Sequence, residues 1–231
     1  LETEGVIVEP ETQMKDVFYI SGYDYLEKLQ TFRNGEFYVQ DISSMQVAEW
    51  ADPKAGDVII DVCAAPGGKS IHLAEKLDGT GMVEARDLTE YKVELLQENI
   101  ERSGLTNICA RVQDATVKDP ESVGNADIPC SGLGILGRKP DLRYKMTPKM
   151  QEELVKLQRE ILKVVCEYVK PGGKLLYSTC TINPYENQRV IADFLKKNTS
   201  FKKEEAIQLL PNVNGSDGFF ICVMKKDDSL V

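Results

Sequence analysis

The chain has 231 residues, 42% hydrophobic and 28% charged, with 28 Lys and Arg against 37 Asp and Glu for a net charge of −9. That length allows one large domain or one domain with a small appendage, and the apolar content can bury a core, which excludes a disordered tail. Its apolar runs, such as Phe219 to Met224, fall far below the roughly 18 residues that cross a bilayer, and no signal-peptide pattern is present, so neither a membrane nor an exported protein is expected.

The chain begins at Leu1, as a fragment or a processed start would, and residues 1 to about 37 read as short strands and turns (Gly5 to Val8, Val17 to Ile20). Tyr38 to Trp50 reads as a helix closed by Pro53 and Gly56. A regular alternation then begins. Asp57 to Cys63 is a buried-strand run, a Gly-containing turn leads into a helix from about Ser70 to Leu77, and Met82 to Asp87 is a second strand. Thr89 caps a helix with Val93, Leu96 and Ile100 on one face and Gly104 at its end; Ile108 to Asp114 is a third strand. Thr147-Pro148 starts a long helix that stops at Pro171-Gly172-Gly173, and Lys174 to Cys180 is another strand. Asn183-Pro184-Tyr185-Glu186 opens a further helix, and Phe201 to Leu209 and Gly218 to Met224 form two strands joined by Pro211 to Gly215. Strands alternating with helices predict an α/β fold with a mostly parallel sheet covered on both faces, to which the terminal hairpin adds an antiparallel strand.

The acidic balance argues against a surface coated for gripping nucleic acid. It hides a gradient: residues 131–175 hold ten basic and five acidic side chains, so they carry +5 and the remainder −14. The helical part reads as a solvated face, whereas Arg138 to Lys149 fall in a loop where phosphate contact is expected. Six cysteines occur at 63, 109, 130, 166, 180 and 222 without a C-x-x-C pair, and His72 is the one histidine. No zinc or other metal site is expected, and a reduced cytoplasm fits best. Cys109, Cys166 and Cys222 fall inside strand or helix patterns and read as buried apolar filler. Cys130 and Cys180 each end a strand-like run beside polar and turn residues.

In open α/β sheets ligands sit at the carboxyl ends of the strands. Four strand ends here carry polar or reactive residues: Cys63 to Lys69, Asp87, Asp114 and Cys180. The 61–70 stretch, Asp-Val-Cys-Ala-Ala-Pro-Gly-Gly-Lys-Ser, lacks the Gly six residues before Lys that a phosphate loop needs, and lacks G-x-G-x-x-G as well. A tight turn whose small residues admit a neutral or zwitterionic ligand survives. Asp87 suits two ribose hydroxyls and Asp114 an adenine amino group, so S-adenosylmethionine fits.

Residues 61–69, residues 127–134 (Asp-Ile-Pro-Cys-Ser-Gly-Leu-Gly) and residues 177–187 (Tyr-Ser-Thr-Cys-Thr-Ile-Asn-Pro-Tyr-Glu-Asn) resemble the RsmB (Sun) family of RNA 5-methylcytosine methyltransferases. The resemblance runs from about residue 15 to the end and includes Phe37 to Ser44. It implies a Rossmann-like S-adenosylmethionine-dependent methyltransferase fold with a seven-stranded sheet over residues 38–231, preceded at 1–37 by the tail of a small RNA-recognition segment. It implies Cys180 as nucleophile, Cys130 as the group that assists product release, and Asp127 at the cytosine edge near the donor. Cys63, Ala64, Ala65, Pro66, Gly67, Gly68, Lys69, Asp87, Asp114 and Asp127 would bind S-adenosylmethionine, and Arg138, Lys139 and Arg143 would contact RNA. Two departures accompany the likeness. Val123 to Ile128 supply little of the apolar strand the family places before Asp127, and the helical domain that many members carry ahead of this region is absent from the sequence.

The chemistry asks for these groups. Carbon 5 of cytosine is a poor nucleophile until a thiolate adds to carbon 6, so the reaction needs a Cys, an acid at the N3 and amino edge, a base, and a target taken out of its stack. The resemblance, with this chemistry, implies an enzyme that methylates cytosine C5 in RNA, with 16S ribosomal RNA as the expected substrate, and a monomer is expected. An RNA-binding assembly factor that keeps the fold without catalysis is the alternative, and a small-molecule or protein methyltransferase is a third reading.

Overall fold

The structure is a computed structural model that describes residues 1–12, 14–120 and 146–228. At the amino end β1 (Ile7–Pro10) and β2 (Phe18–Ser21) pair antiparallel, one to two residues later than the sequence pattern indicates. A short helix, α1 (Gln30–Arg33), follows. The next helix, α2 (Ile42–Ala51), starts four residues later than expected. The reason is local: Asp41 accepts a hydrogen bond from Ser43 N at 2.9 Å and caps the helix there.

Three parallel strands come next in space: β3 (Val58–Asp61), β4 (Met82–Asp87) and β5 (Ile108–Val112), in that order. Ile59 lies opposite Val83, and Ala85 opposite Ala110. The crossovers are α3 (Gly68–Lys76) and α4 (Glu90–Ser103). As the sequence indicates, α4 is capped by Thr89, whose hydroxyl accepts from Lys92 N, and it ends at Gly104 with φ +70°. β5 stops at Val112, two residues short of the expected end at Asp114.

After α5 (Pro148–Tyr168), capped by Thr147 as expected, come β6 (Lys174–Thr179), α6 (Gln188–Lys197), β7 (Phe201–Leu209) and β8 (Phe219–Lys226). The terminal hairpin does not simply extend the sheet. β8 inserts between β6 and β7 and runs antiparallel to both, so the described strands form one parallel ladder, β3-β4-β5, and one antiparallel ladder, β6-β8-β7. The stretch before Asp127, where a seventh strand would fall, lies outside the described residues. The expected helix start at Asn183 is also displaced: residues 184–187 form a turn and α6 begins at Gln188. Asn183 instead bonds locally, its Oδ1 accepting from Tyr185 N at 3.1 Å and its Nδ2 donating to Glu186 Oε1 at 3.0 Å.

Both ladders belong to one layer, because β3, β6 and β8 send alternate side chains to the same two cores. Ile59, Leu176, Ile221 and Val223 enter one cluster with α2, α3 and α4. Ile60, Leu175, Tyr177, Phe220, Cys222 and Met224 enter the other with α5 and α6. That period of two is what a sheet covered on both faces requires. Side chains such as Leu175, Ile221 and Met224 are fully buried, and each contributes about 1.5–3 kcal/mol of transfer free energy. Cys166 and Cys222 are buried as expected, but Cys109 is exposed. It points away from the core that its neighbour Ile108 enters, on a strand that, among the described residues, pairs on one side only.

Candidate active site

The carboxyl ends of β3, β4 and β5 share an edge because the strands are parallel, with Asp61 opposite Ala85 and Asp87 opposite Val112. β6 points the same way. The starts of β3 and β6 both lie at the carboxyl end of α2, where Ala51 O accepts from Lys174 Nζ at 3.1 Å and where Val58 and Lys174 border one cleft. At the other end of α2, Asp41 Oδ1 accepts from Asp217 N at 3.3 Å, and Gln40 lies 3.6 Å from where a Cβ of Gly68 would stand. Cys180, the residue after β6, therefore emerges on the edge that carries the 62–67 turn.

That turn is tightly held. Buried Asp61 accepts from Ser70 Oγ at 2.7 Å and from Cys63 N at 3.2 Å. Ala64 N donates to Arg86 O on β4, and Gly67 N to Ala64 O, each at 2.8 Å. Gly67 has φ +113°, a conformation that demands glycine, and a Cβ there would also come within 2.8 Å of Leu96 Cδ1 and have to displace it. Pro66 O accepts from Asn99 Nδ2 at 2.9 Å, and Asn99 Oδ1 accepts from Arg102 Nη2 at 2.9 Å. Arg102 in turn donates to Phe32 O and Phe37 O at 3.3 and 3.2 Å and stacks over the Phe32 ring at 4.1 Å. A continuous relay thus ties the amino-terminal segment to the turn. Sequence patterning gave no sign of it, because Asn99 and Arg102 read as ordinary polar positions of an amphipathic helix.

The two sequence-predicted aspartates differ in state. Asp87 is 4% exposed; its Oδ2 accepts from Ala65 N at 3.1 Å and its Oδ1 from Leu88 N and Lys92 Nζ at 2.8 and 2.9 Å. A carboxylate offers about four acceptor positions, so one remains on Oδ2. Asp114 lies beyond the end of β5 and uses Oδ1 to accept from Thr116 N and Thr116 Oγ1 at 2.8 and 2.7 Å. Its loop is anchored by an ionic cluster built on fully buried Arg86, which forms a fork with Glu84 at 3.0 and 2.8 Å and meets Asp119 at 3.5 Å. Arg111 bridges Glu84 and Asp119, and Asp119 N donates to Tyr168 Oη at 2.9 Å.

These residues fit an adenosyl ligand with an amino-acid tail. Gln40 Oε1 is buried and finds no donor among the described residues, and Gln40 stands beside Gly68 at the start of α3. An orphaned acceptor of that kind is what a ligand N–H satisfies. Small side chains at Ala64, Ala65, Gly67 and Gly68 leave the backbone approachable. Gln40, within the Phe37 to Ser44 motif, was not among the predicted ligand contacts.

Cys180 is half-buried and packs beside the first core cluster, next to the polar groups that hold its own turn. Thr179 Oγ1 donates to Asn187 Oδ1 at 2.6 Å, and Asn187 Nδ2 donates to Thr181 O at 2.9 Å and Gln208 Oε1 at 2.8 Å. Tyr177 Oη donates to Glu186 O, while Glu186 accepts from Gln158 Nε2 and Asn183 Nδ2 at 3.3 and 3.0 Å. Thr179, Thr181, Glu186, Asn187 and Gln158 are all buried. By contrast, burial pushes the Cys222 thiol up to about 12 and the Cys166 thiol upward, which makes both inert. Asp127, Cys130, Arg138, Lys139 and Arg143 lie outside the described residues.

Known proteins carry the same architecture. The family described as 16S rRNA methyltransferase RsmB/F matches residues 48–225. The probable ribosomal RNA small subunit methyltransferase B of Bacillus subtilis is 41% identical, over 84% of this chain and 49% of its own. The corresponding methyltransferase of Pectobacterium carotovorum is 32% identical, over 98% and 56%. The chain thus spans about half the length of these curated relatives. Among solved structures, NSun6 from Pyrococcus horikoshii with SFG, an analogue of S-adenosylmethionine, superposes with a TM-score of 0.79 at 31% identity, covering 88% of this chain and 56% of that one. A methyltransferase homologue from Pyrococcus horikoshii gives 0.80 at 25%, covering 97% and 80%. The α/β layer, the 61–70 turn and the match over most of its length make this chain a member of the RsmB/F family of S-adenosylmethionine-dependent rRNA methyltransferases.

Proposed function

We propose that the chain methylates carbon 5 of cytosine in RNA, with 16S ribosomal RNA as its target, through a covalent bond between Cys180 and carbon 6 of the base. The observation that carries this reading is the placement of a half-buried thiol at the end of β6, on the edge that also bears the 62–67 turn, Asp61 and Asp87. S-adenosylmethionine, when bound, supplies an electrophilic methyl group on its sulfonium. Asp87 holds the ribose hydroxyls, Asp114 the adenine amino group, and the turn from Cys63 to Lys69 with Gln40 the remainder.

The protein's part in the chemistry follows. Cys180 Sγ, as thiolate, bonds to carbon 6, and the displaced double-bond pair makes carbon 5 nucleophilic. Once carbon 5 is methylated, a base removes its proton, the C–H electrons restore the 5,6 double bond, and Sγ leaves with its own pair. Asp127 steadies the N3 and amino edge, and Cys130 assists release. A free thiol is only about 3% ionised at neutral pH, so the rigid frame of Thr179, Thr181 and Asn187 matters: it fixes the Sγ position in advance. Residues 38–231 form the catalytic region. Residues 1–37, fastened by Arg102, form part of an RNA-recognition segment, and Arg138, Lys139 and Arg143 contact phosphates.

Incubation with methyl-labelled donor and 16S RNA, followed by mapping of the labelled base, tests the reading. Label on carbon 5 of cytosine that disappears in Cys180→Ala is expected. RNA bound but never methylated would leave an RNA-binding assembly factor instead.

A further inference from the structure

A groove of about 670 Å³ runs between the amino-terminal halves of α5 and α6, bordered by Gln151, Val155, Arg159, Asn183, Tyr185 and Arg189. Its level in the molecule follows from the topology. The carboxyl end of α5 feeds the start of β6 through Pro171 and Gly172, so its amino half lies beside the end of β6, where Cys180 sits. α6 starts at that same end. The groove thus opens beside the proposed reaction centre.

Two of its residues are unusual. Tyr185 is 55% exposed, on the turn braced by Asn183 and Glu186. The Arg189 guanidinium lies 3.8 Å from the centre of its ring and covers one face, while the residue as a whole stays more than half exposed. Arg189 has no carboxylate partner among the described residues, whereas Arg159 across the groove is paired with Asp193 at 2.5 Å. The remaining acidic group on the groove wall is Glu152. An exposed ring backed by an uncommitted cation is a poor solvated surface and a good platform for a nucleobase, which stacks on the open face while the guanidinium reaches a phosphate. The sequence places Tyr185 at the start of a helix and within the 177–187 motif, without a role of its own.

We propose that Tyr185, backed by Arg189, is a stacking shelf for a nucleotide flanking the target cytosine, and that the α5–α6 groove carries that flank of the single strand. The proposal rests on RNA being the substrate. Extruding the target base leaves its neighbours unstacked, and the shelf replaces the lost stacking on one side.

The test uses the 231-residue chain, a fluorescent single-stranded RNA of twelve uridines with one central cytidine, and S-adenosylhomocysteine at saturation. Tyr185→Ala is expected to weaken RNA binding at least about fivefold, the low end for loss of one base–aromatic stack, and Tyr185→Phe to retain it. Arg189→Gln is expected to flatten the plot of log affinity against log salt by about 0.7, one phosphate contact on a single strand. S-adenosylhomocysteine affinity should stay within twofold in all three variants, which separates the shelf from a folding defect. Unchanged RNA affinity in Tyr185→Ala, or an equal loss in Tyr185→Phe, overturns the stacking role; an unchanged slope in Arg189→Gln overturns the phosphate contact. Should the unmodified chain neither bind this RNA nor methylate any cytidine, the reading of RNA as substrate falls, and the shelf with it.

Discussion

Asn187→Ala probes the frame around the proposed nucleophile most sharply. Asn187 is fully buried and makes three hydrogen bonds, to Thr179, Thr181 and Gln208. Truncation leaves the Thr179 hydroxyl without its acceptor and Gln208 Oε1 without its donor, while Thr181 O keeps a weaker bond from Gln208 Nε2 at 3.3 Å. Two orphaned groups at about 1–3 kcal/mol each give a loss of about 2–6 kcal/mol, which at roughly 2–4 °C per kcal/mol lowers Tm by about 4–24 °C. Asn187→Asp is the discriminating partner. It keeps the acceptor for Thr179 but replaces the Nδ2 donor by an acceptor oxygen facing Thr181 O and Gln208 Oε1, and it buries a charge, so it should be the more damaging of the two. Urea titration gives the stabilities, and single-turnover methyl transfer gives the chemistry, which should slow in both because Thr179 and Thr181 flank Cys180. A stability loss under 1 kcal/mol in Asn187→Ala, or Asn187→Asp more stable than Asn187→Ala, would refute the brace.

Further outcomes follow from the same geometry. Gly67→Ala places a Cβ 2.8 Å from Leu96 Cδ1 at φ +113°, so it should cost about 1–3 kcal/mol and weaken S-adenosylhomocysteine binding by calorimetry; wild-type affinity would show the turn is not a binding element. Asn99→Ala frees Pro66 O and unlinks Arg102, so it should lower stability by about 1 kcal/mol and, by loosening the turn, weaken donor binding. Equal donor affinity would mean that the relay ends at the helix. His72 is the one histidine and is 14% exposed; burial lowers its pKa, against a smaller opposite pull from Glu49. The unfolded chain then binds the extra proton first as pH falls below about 6.5, so the stability contributed above that pH is lost as pH drops toward the lowered folded value. His72→Gln should flatten the urea midpoint between pH 7 and 5.5, and an unchanged profile would assign that slope to other groups.

What the sequence reveals and what it hides divides along sequence distance. Caps and breakers act within four residues, so Thr89, Gly104 and Thr147 mark helix ends correctly. The 62–67 turn was legible because small residues between a buried strand and a helix leave few alternatives. Asn183 misled because an Asx turn and an N-cap share the same local pattern, and the bond to Glu186 decided between them. The insertion of β8 between β6 and β7 was hidden, since alternation shows that a strand is buried on both faces without naming its neighbours. For the same reason the brace from Asn187 to Gln208, the relay from Arg102 to Pro66 and the exposure of Cys109 could not be read in advance. Asp114 was placed at a strand end that proved to be Val112, because Gln113 continues the polar–apolar rhythm for one residue after the ladder has stopped.

The proposed reaction turns on one bond, between Cys180 Sγ and carbon 6 of a pyrimidine. An RNA carrying 5-fluorocytidine at the methylated position has no proton on carbon 5 to lose, so elimination is blocked after methyl transfer. With donor present, the unmodified chain should run on a denaturing gel as a protein–RNA species, with the cross-linked peptide mapping to Cys180, and Cys180→Ala should give none. A cross-link that persists in Cys180→Ala, or methylation without any adduct at residue 180, would contradict it.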